Sequence, residues 1–189
     1  MFKRSSIAAA AALLFGQPVV AQDIFGSTPT PLEAAGFTAA WSAAGSTGVT
    51  DDRKVRFLLA RALIDQNAPP GTRVVLRYTI PPFDDVNFPC TRLGVILRDP
   101  GPGQVDVRLM RIKMLGGGVQ EIPLNINSDE HPASLNFVTR EATMTGSPFN
   151  FAHSLYYIEV HMIKGEADSP SVFALYIGKP RSSTFCPGY

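Results

Sequence analysis

The sequence is poor in the residues that build metal and redox centres. Its 189 residues include two cysteines, three histidines and one tryptophan. Two cysteines without a paired histidine motif fall short of the four ligands that a structural zinc site needs. Charge is equally sparse, because 17 Lys and Arg face 16 Asp and Glu for a formal net charge of +1. A near-neutral chain argues against nucleic acid and against an anionic membrane surface as partners.

Beyond the N-terminus the chain also lacks an apolar run long enough to span a membrane. Residues 1–21 have the form of a secretory signal peptide: Lys3 and Arg4 precede a short apolar core, and small residues lead to a cut after Ala21. The core is about half the roughly 20 residues of a spanning helix. We expect a mature chain that begins at Gln22, is periplasmic or secreted without membrane insertion, and carries a formal charge of −1 after losing two cations.

The two cysteines, Cys90 and Cys186, are expected to form a disulfide. An exported chain meets an oxidising compartment, where an even number of cysteines favours a bridge. The bridge would close a loop of 96 residues, which the chain-entropy model values at on the order of 4–5 kcal/mol. We therefore expect the C-terminal tail to be held against one end of the fold.

From residue 71 onward, apolar and polar residues alternate in short runs, as they do in half-buried β-strands. In TRVVLRYTI the apolar positions Val74, Leu76, Tyr78 and Ile80 share one face. Turn-forming Gly, Pro and Asn separate about eight such runs. This spacing predicts an all-β fold, an antiparallel β-sandwich of jelly-roll type.

Three local features predict how the strands are arranged. The apolar phase changes at Leu109 and Met110, which indicates a β-bulge. Pro123 cannot donate to a ladder, which places its strand at a sheet edge. The run SVFALYIG is apolar on both faces and predicts a central strand.

The N-terminal part of the mature chain has a weaker pattern. Residues 22–50 are small and almost uncharged. We interpret them as an irregular arm with one short helix or strand, docked on the body by Trp41. Residues 53–65 fit both helical spacing and strand alternation, and we favour a strand because the following segments are β-rich. The β-sandwich domain would then be residues 51–189.

The order VVLRYTI, cysteine, LGVILRD, YYIEVHMIK, SVFALYI and a terminal Cys-Pro resembles a loose group of small exported bacterial β-sandwich proteins. The resemblance covers roughly residues 50–187. It implies the sandwich fold and the disulfide, and it brings no activity to this chain.

Two polar loops carry candidate calcium ligands. In NINSDE, Asn125, Asn127 and Asp129 occupy alternate positions, as oxygen ligands do in calcium loops. Asp84 and Asp85 could complete a site if the two loops met at one end of the sandwich. The loop lacks the glycine and the closing glutamate of an EF-hand, so we favour a polar loop without metal. Apart from calcium, we expect no cofactor.

One pair of residues fits acid–base chemistry. Glu159 and His161 are two apart on one predicted strand and share a face, so the carboxylate could orient the imidazole. The other histidines, His131 and His153, have no metal-ligand spacing, and no Gly-x-Ser-x-Gly motif is present. Paired carboxylates for glycoside hydrolysis could be drawn from Asp84, Asp85, Asp99, Asp106 or Glu159. None stands out, so we assign no catalytic residue.

Aromatic residues are concentrated in the predicted loops. Phe83, Phe88, Phe149 and Phe151 lie among prolines and asparagines. Loop aromatics of this kind either stack on sugars or anchor a partner, or else they close the ends of a sandwich core. We favour the closing of the core ends, since large exposed apolar patches are rare.

The leading hypothesis is an exported, non-enzymatic β-sandwich with a binding or structural role at the cell envelope or outside it. Its partner would be a protein or a glycan, and self-association through a sheet face stays open. One alternative is a calcium-dependent carbohydrate-binding module that uses the Asp84/Asp85 and Asn125/Asp129 loops. The other is a hydrolase that uses Glu159 and His161.

Overall fold

The computed structural model describes residues 37–84, 86–166, 169–180 and 186, which form two antiparallel β-sheets packed face to face. The all-β sandwich predicted from the sequence is confirmed, with ten strands rather than about eight. The strands are β1 (Phe37–Ala44), β2 (Val55–Leu58), β3 (Arg61–Ile64), β4 (Arg73–Ile80), β5 (Cys90–Asp99), β6 (Gln104–Lys113), β7 (Val119–Asn127), β8 (Ser134–Thr145), β9 (Ser154–Ile163) and β10 (Ser171–Pro180). Single 3-10 turns occur at Gly45–Thr47 and Ser128–Glu130. Within the described ranges, no helix is long and apolar enough to cross a membrane.

The extra strands lie in the N-terminal part, where the sequence pattern is weakest. The segment predicted as an irregular arm contains β1, which pairs with β10 along its length and so belongs to the sandwich. Trp41 of this strand packs against the core, as predicted. The favoured strand over residues 53–65 is confirmed as a hairpin, β2 and β3. The predicted signal peptide and residues 22–36 lie outside the described residues.

The larger sheet has six strands in the order β2-β3-β10-β5-β8, with β1 also paired to β10. β10 is therefore central, as its apolar sequence predicted. The smaller sheet has the order β4-β9-β6-β7. Its β7 is an edge strand, as Pro123 predicted, and the pairing of β6 with β7 shifts register between Arg108 and Met110, which confirms the bulge.

The core lies between the two sheets and follows the alternation of the strands. On β4 the four residues predicted to face inward are at most 3% exposed, whereas Arg73, Arg77 and Thr79 are exposed. The inner face of β9 is equally buried, since Ile158, Val160 and Met162 have no exposed area. The outward positions of β4 are consequently taken by polar residues such as Arg73, Arg77 and Thr79.

Phenylalanines close the end of the core at which β4 ends and β5 begins. Phe88 and Phe149 are buried, and Phe83 and Phe151 pack against the core from its rim. Ring centroids lie 5.0 Å apart for Phe83 and Phe149, and 5.0 Å apart for Phe149 and Tyr156. The predicted closing role of the loop aromatics is confirmed.

The predicted disulfide is present between Cys90, the first residue of β5, and Cys186. Both cysteines form a small buried cluster with Tyr176 of β10. The C-terminal tail is thus attached to the six-stranded sheet at Cys186.

Candidate binding site

The outer face of the four-stranded sheet carries an array of charged side chains. Antiparallel register places Glu159 of β9 beside Arg77 of β4 on one side and Arg108 of β6 on the other. His161, two residues further along β9, is paired with Asp106. Alternate residues of a strand point to the same face, so these side chains share one surface. We call this surface the polar face: Arg77, Asp106, Arg108, Glu121, Tyr157, Glu159 and His161.

Glu159 lies at the centre of the polar face. One carboxylate oxygen, Oε2, accepts a hydrogen bond from Nε of Arg77 at 3.2 Å. The other, Oε1, lies 2.8 Å from Nε2 of His161. The Glu159 side chain is 14% exposed, against 52% for Arg77 and 35% for His161. The carboxylate is therefore held in the sheet surface while both of its partners extend into solvent.

Arg108 forms a second ion-paired group beside the first. Its Nε donates to Oδ2 of Asp106 at 2.7 Å, and a terminal nitrogen contacts the same oxygen. The other terminal nitrogen is 3.5 Å from Glu121 of β7. The hydrogen bond to Asp106 raises the pKa of Arg108 above its usual value. The guanidinium is charged at every physiological pH, and its plane is oriented by two carboxylates.

Tyr157 precedes Glu159 by two residues on β9 and is paired with Thr79 on β4 and Met110 on β6. Partial burial, and then the negative charge of Glu159, raise the pKa of the Tyr157 phenol. The hydroxyl is therefore neutral at physiological pH and can both donate and accept. Tyr157 adds a flat, partly exposed ring to an otherwise charged surface.

Two depressions adjoin the polar face. One of about 250 Å³ is lined by Arg73, Gln104, Asp106, Arg108, Asn127 and His161 among others. The second, of about 440 Å³, lies on the side of β4 away from β9, between Arg73 and Arg77 and the loop of residues 50–53. Arg73 lines both depressions, so the two are neighbours on this sheet.

The structure separates the two groups of predicted calcium ligands. Asn125 and Asn127 lie on β7, and Asp129 lies in the 3-10 turn that follows. Register places Asn127 level with Val75 near the start of β4, whereas Asp84 follows the end of β4. The intervening part of β4 spans about 17 Å. Asp85 is outside the described residues.

The oxygen ligands of the β7 loop are also partly engaged. Oδ1 of Asn127 accepts from Nε2 of Gln104 at 3.1 Å and from the backbone nitrogen of Asp129 at 3.0 Å. Among the described residues, no three or more His, Cys, Asp or Glu side chains are grouped as metal ligands. Calcium at this loop therefore stays a prediction from the sequence.

The remaining predicted residues have separate positions. Asp99, at the end of β5, is buried and accepts from the Ser128 hydroxyl and from the backbone nitrogen of Gly101. His131 and His153 lie in exposed positions away from the polar face. Of the acid–base candidates that the structure describes, Glu159, His161 and Asp106 come together.

Sequence reasoning does not identify Arg77, Arg108 or Tyr157 as site residues. Arg77 and Arg108 lie on other strands than Glu159, and a tyrosine such as Tyr157 is common on any solvent-facing strand. The available indication is the polar phase of the strands, in which Arg77 is opposite to the core residues of β4. Alternation shows that such residues face outward, but only the register shows which of them are neighbours.

Neither a family model nor a curated protein matches this sequence. Among solved structures, the chain is similar to the C-terminal family 6 carbohydrate-binding module of a laminarinase from Zobellia galactanivorans, with 11% identity, a TM-score of 0.40, and coverage of 74% of this chain and 98% of that one. The family 61 module TmCBM61, solved with β-1,4-galactotriose, has 8% identity, a TM-score of 0.40 and coverage of 72% and 91%. The Eiger TNF protein from S. frugiperda has 12% identity, a TM-score of 0.32 and coverage of 74% and 91%. With TM-scores below 0.5, these likenesses carry no conclusion about the ligand of this chain.

Proposed function

We propose that this protein is a non-enzymatic binding module that takes a glycan on the polar face of its four-stranded sheet. The observation that carries the proposal is the mutual pairing of the charged groups on that face. Two arginines face three carboxylates there, and each arginine is within 3.5 Å of a carboxylate oxygen. The face is rich in hydrogen-bonding groups yet close to electrically neutral, which suits a neutral polar ligand better than an ion.

Sugar hydroxyls fit such a surface because each of them both donates and accepts. Arg77 is 52% exposed and uses only its Nε in the ion pair, Arg108 is 38% exposed, and Tyr157 contributes a hydroxyl that both donates and accepts. These groups stand on strands, which hold side chains more firmly than loops do. The ring of Tyr157 provides an apolar surface for the C–H face of a sugar, since aromatic side chains combine a large apolar area with a polar tip.

The contacts of Glu159 favour binding over hydrolysis. A general acid or base must come within hydrogen-bond reach of the substrate proton. Both oxygens of Glu159 are already engaged by Arg77 and His161, and Asp106 is engaged by Arg108. The hydrolase alternative keeps one supporting observation, the 2.8 Å contact between Glu159 and His161.

The proposal is tested by native gel electrophoresis of the exported protein through gels that contain single neutral polysaccharides, followed by calorimetry on each one that retards it. We expect Arg108→Gln and Tyr157→Ala to weaken binding at least about tenfold, which is 1.4 kcal/mol. Arg92→Gln is the matched control, because Arg92 pairs with Glu141 at 2.9 Å on the outer face of the other sheet. Absence of retardation by any glycan, or equal affinity of all variants, would contradict the proposal.

The two alternatives have distinct outcomes in the same experiments. Release of reducing sugar that is lost in His161→Ala would establish the hydrolase. A calcium heat at millimolar metal that is lost in Asp129→Ala, together with glycan binding lost in a chelator, would establish the calcium-dependent module. We expect neither, because binding on the polar face needs no metal.

We further propose that the protein works outside the cytoplasm, as a member of the exported bacterial group that its strands resemble. The disulfide between Cys90 and Cys186 is compatible with an oxidising compartment. A native mass spectrum of the protein exported from a bacterial host would show a chain that starts at Gln22 and gains two hydrogens on reduction. The same spectrum would show whether the protein is a monomer or a homo-oligomer.

A further inference from the structure

The hairpin of β2 and β3 ends in exposed apolar side chains. A two-residue turn, Leu59 and Ala60, joins the strands, since Leu58 is paired with Arg61. Phe57 is 44% exposed, Leu58 39% and Leu59 102%. We call Phe57, Leu58 and Leu59 the hairpin tip. Other large exposed apolar residues of the described sandwich are single or, at Met114 and Leu115, a pair, whereas three follow one another here.

Leu59 is also in an unfavourable backbone conformation. Its φ of 53° is the only positive φ of a non-glycine residue in the described part of the chain. Turns that require this conformation normally use Gly, Asn or Asp. Because the Leu59 side chain is fully exposed, it makes no core contact that would offset this backbone strain. Strained residues without such a compensating contact are characteristic of functional positions.

The hairpin concentrates positive charge around this tip. Residues 53–64, RKVRFLLARALI, contain four cations and no acid, and the flanking acids Asp51, Asp52 and Asp65 lie at the base of the hairpin, away from the tip. The cations are Arg53, Lys54, Arg56 and Arg61. Within the described residues, none of these four side chains has a hydrogen bond or an ion pair. The acids at the base offset Arg53 and Lys54, so the unbalanced positive charge lies at Arg56 and Arg61, next to the hairpin tip.

We propose that the hairpin tip docks on an anionic lipid bilayer. Arg56 lies three residues below Leu59, a distance of about 10 Å along the strand. Interfacial apolar groups reach roughly 5–10 Å into the boundary between headgroups and acyl chains. With Leu58 and Leu59 at that depth, Arg56 and Arg61 lie level with the lipid phosphates and supply the electrostatic attraction.

The hairpin is already shaped for this contact. The backbone nitrogen of Ser46 donates to the carbonyl of Ala60 at 3.2 Å, and that of Asp65 donates to the carbonyl of Lys54 at 2.6 Å. β3 is also paired with β10 in the six-stranded sheet. Because the tip is fixed before binding, little conformational entropy is lost when it inserts.

A lipid surface fits the tip better than a protein does. Three apolar side chains are much less than the roughly 800 Å² that each partner contributes to a stable protein interface. A second copy of this chain is opposed by charge as well, because a two-fold contact between tips brings the two basic hairpins together. A bilayer needs only a small apolar insertion when cations supply the remaining attraction.

The test is co-sedimentation of the exported, processed protein with vesicles of three parts phosphatidylcholine to one part phosphatidylglycerol. We expect binding that disappears with pure phosphatidylcholine and at about 0.5 M salt. The double variant Leu58→Ser/Leu59→Asn should bind at least about tenfold more weakly, because two large apolar side chains no longer enter the bilayer. Arg56→Glu should do the same through charge.

Leu115→Asn is the matched control, since Leu115 is 86% exposed in the turn between β6 and β7. It should bind vesicles as the unchanged protein does. The depth of insertion can be measured with Leu58→Trp in a Trp41→Phe background, which leaves one tryptophan in the chain. Quenching of that tryptophan by brominated acyl chains would support the proposal.

The proposal would be overturned if the unchanged protein did not bind anionic vesicles, or if the tip variants bound as well as the Leu115→Asn control. It would also be overturned if a tip variant reduced the oligomeric mass of the protein and left vesicle binding unchanged. The last result would assign the tip to a second copy of the chain. Glycan binding on the polar face is measured separately, so either proposal can fail alone.

Discussion

Cys186 is bonded to Cys90 across 96 residues of chain, and both cysteines pack with Tyr176. A crosslink over so long a loop removes many conformations from the unfolded chain. We predict that Cys90→Ser/Cys186→Ser lowers the free energy of unfolding by about 2–5 kcal/mol. Urea denaturation monitored by tryptophan fluorescence measures the change. The unchanged protein under reducing conditions should match the variant, and a variant as stable as the oxidised protein would contradict the prediction.

Gly94 of β5 lies directly beneath the ring of Tyr176. A Cβ built at Gly94 would be 2.0 Å from the Tyr176 ring, so the ring would have to move and would lose its hydrogen bond to Glu141. We predict that Gly94→Ala destabilises the fold by about 1–3 kcal/mol. Gly118→Ala is the control, because a Cβ there meets nothing within 4 Å. Equal denaturation midpoints for the two variants would be inconsistent with this contact.

The hydroxyl of Tyr78 links the core of the four-stranded sheet to the turn after β1. It is buried and donates to the carbonyl of Gly45 at 2.7 Å. We predict that Tyr78→Phe costs about 1–3 kcal/mol, because the buried carbonyl is left without its donor. Chemical denaturation at neutral pH measures the loss, and a change of a few tenths would show that water replaces the hydroxyl.

Buried tyrosines predict a loss of stability in alkaline solution. Burial raises the pKa of Tyr78, and burial together with Glu141 raises that of Tyr176, above the ordinary value of 10.0. Above about pH 10 the unfolded chain releases these protons while the folded chain retains them, so stability falls as pH rises. The slope should approach about 1.4 kcal/mol per pH unit for each tyrosine. The test measures the free energy of unfolding from about pH 9 to about pH 11, roughly one unit on either side of the ordinary tyrosine pKa. Its slope against pH should be shallower for Tyr78→Phe than for the unchanged protein.

Replacing Leu59 with glycine should stabilise the fold and weaken membrane binding. We expect Leu59→Gly to raise the free energy of unfolding by about 1 kcal/mol, because glycine adopts a positive φ without steric cost. Thermal or urea denaturation measures the gain, with Leu115→Asn as a control that should change little. The same variant should sediment less with anionic vesicles. A stabilised variant that binds vesicles normally would show that the strain at Leu59 serves no lipid contact.

Local patterns predicted much of the fold correctly because they reflect constraints within a single strand. Alternation identified the inward side of β4, Pro123 placed β7 at an edge, and the phase change at Leu109 and Met110 located the bulge. The strand count was too low because β1 is small and almost uncharged. What makes residues 37–44 a strand is pairing with β10, and such pairing has no local sign.

The polar face was predicted only in part for a related reason. Glu159 and His161 are neighbours on one strand, so spacing alone put them together. Arg77, which bonds to Glu159, and Arg108, which register places beside it, lie 82 and 51 positions away in the numbering. Alternation fixes the face of each strand, but any even shift of register keeps that face and changes every neighbour across the sheet.

The sequence by itself determined the all-β class, the inward faces of the strands and the pair of cysteines available for a bridge, because each follows from the chemistry of residues within one short segment or from their count. The tertiary structure alone decided which charged side chains meet on the four-stranded sheet, that the two predicted calcium loops lie at opposite ends of it, and that Leu58 and Leu59 end in solvent. These are outcomes of strand order and register, which depend on the packing of the whole sandwich rather than on any one strand.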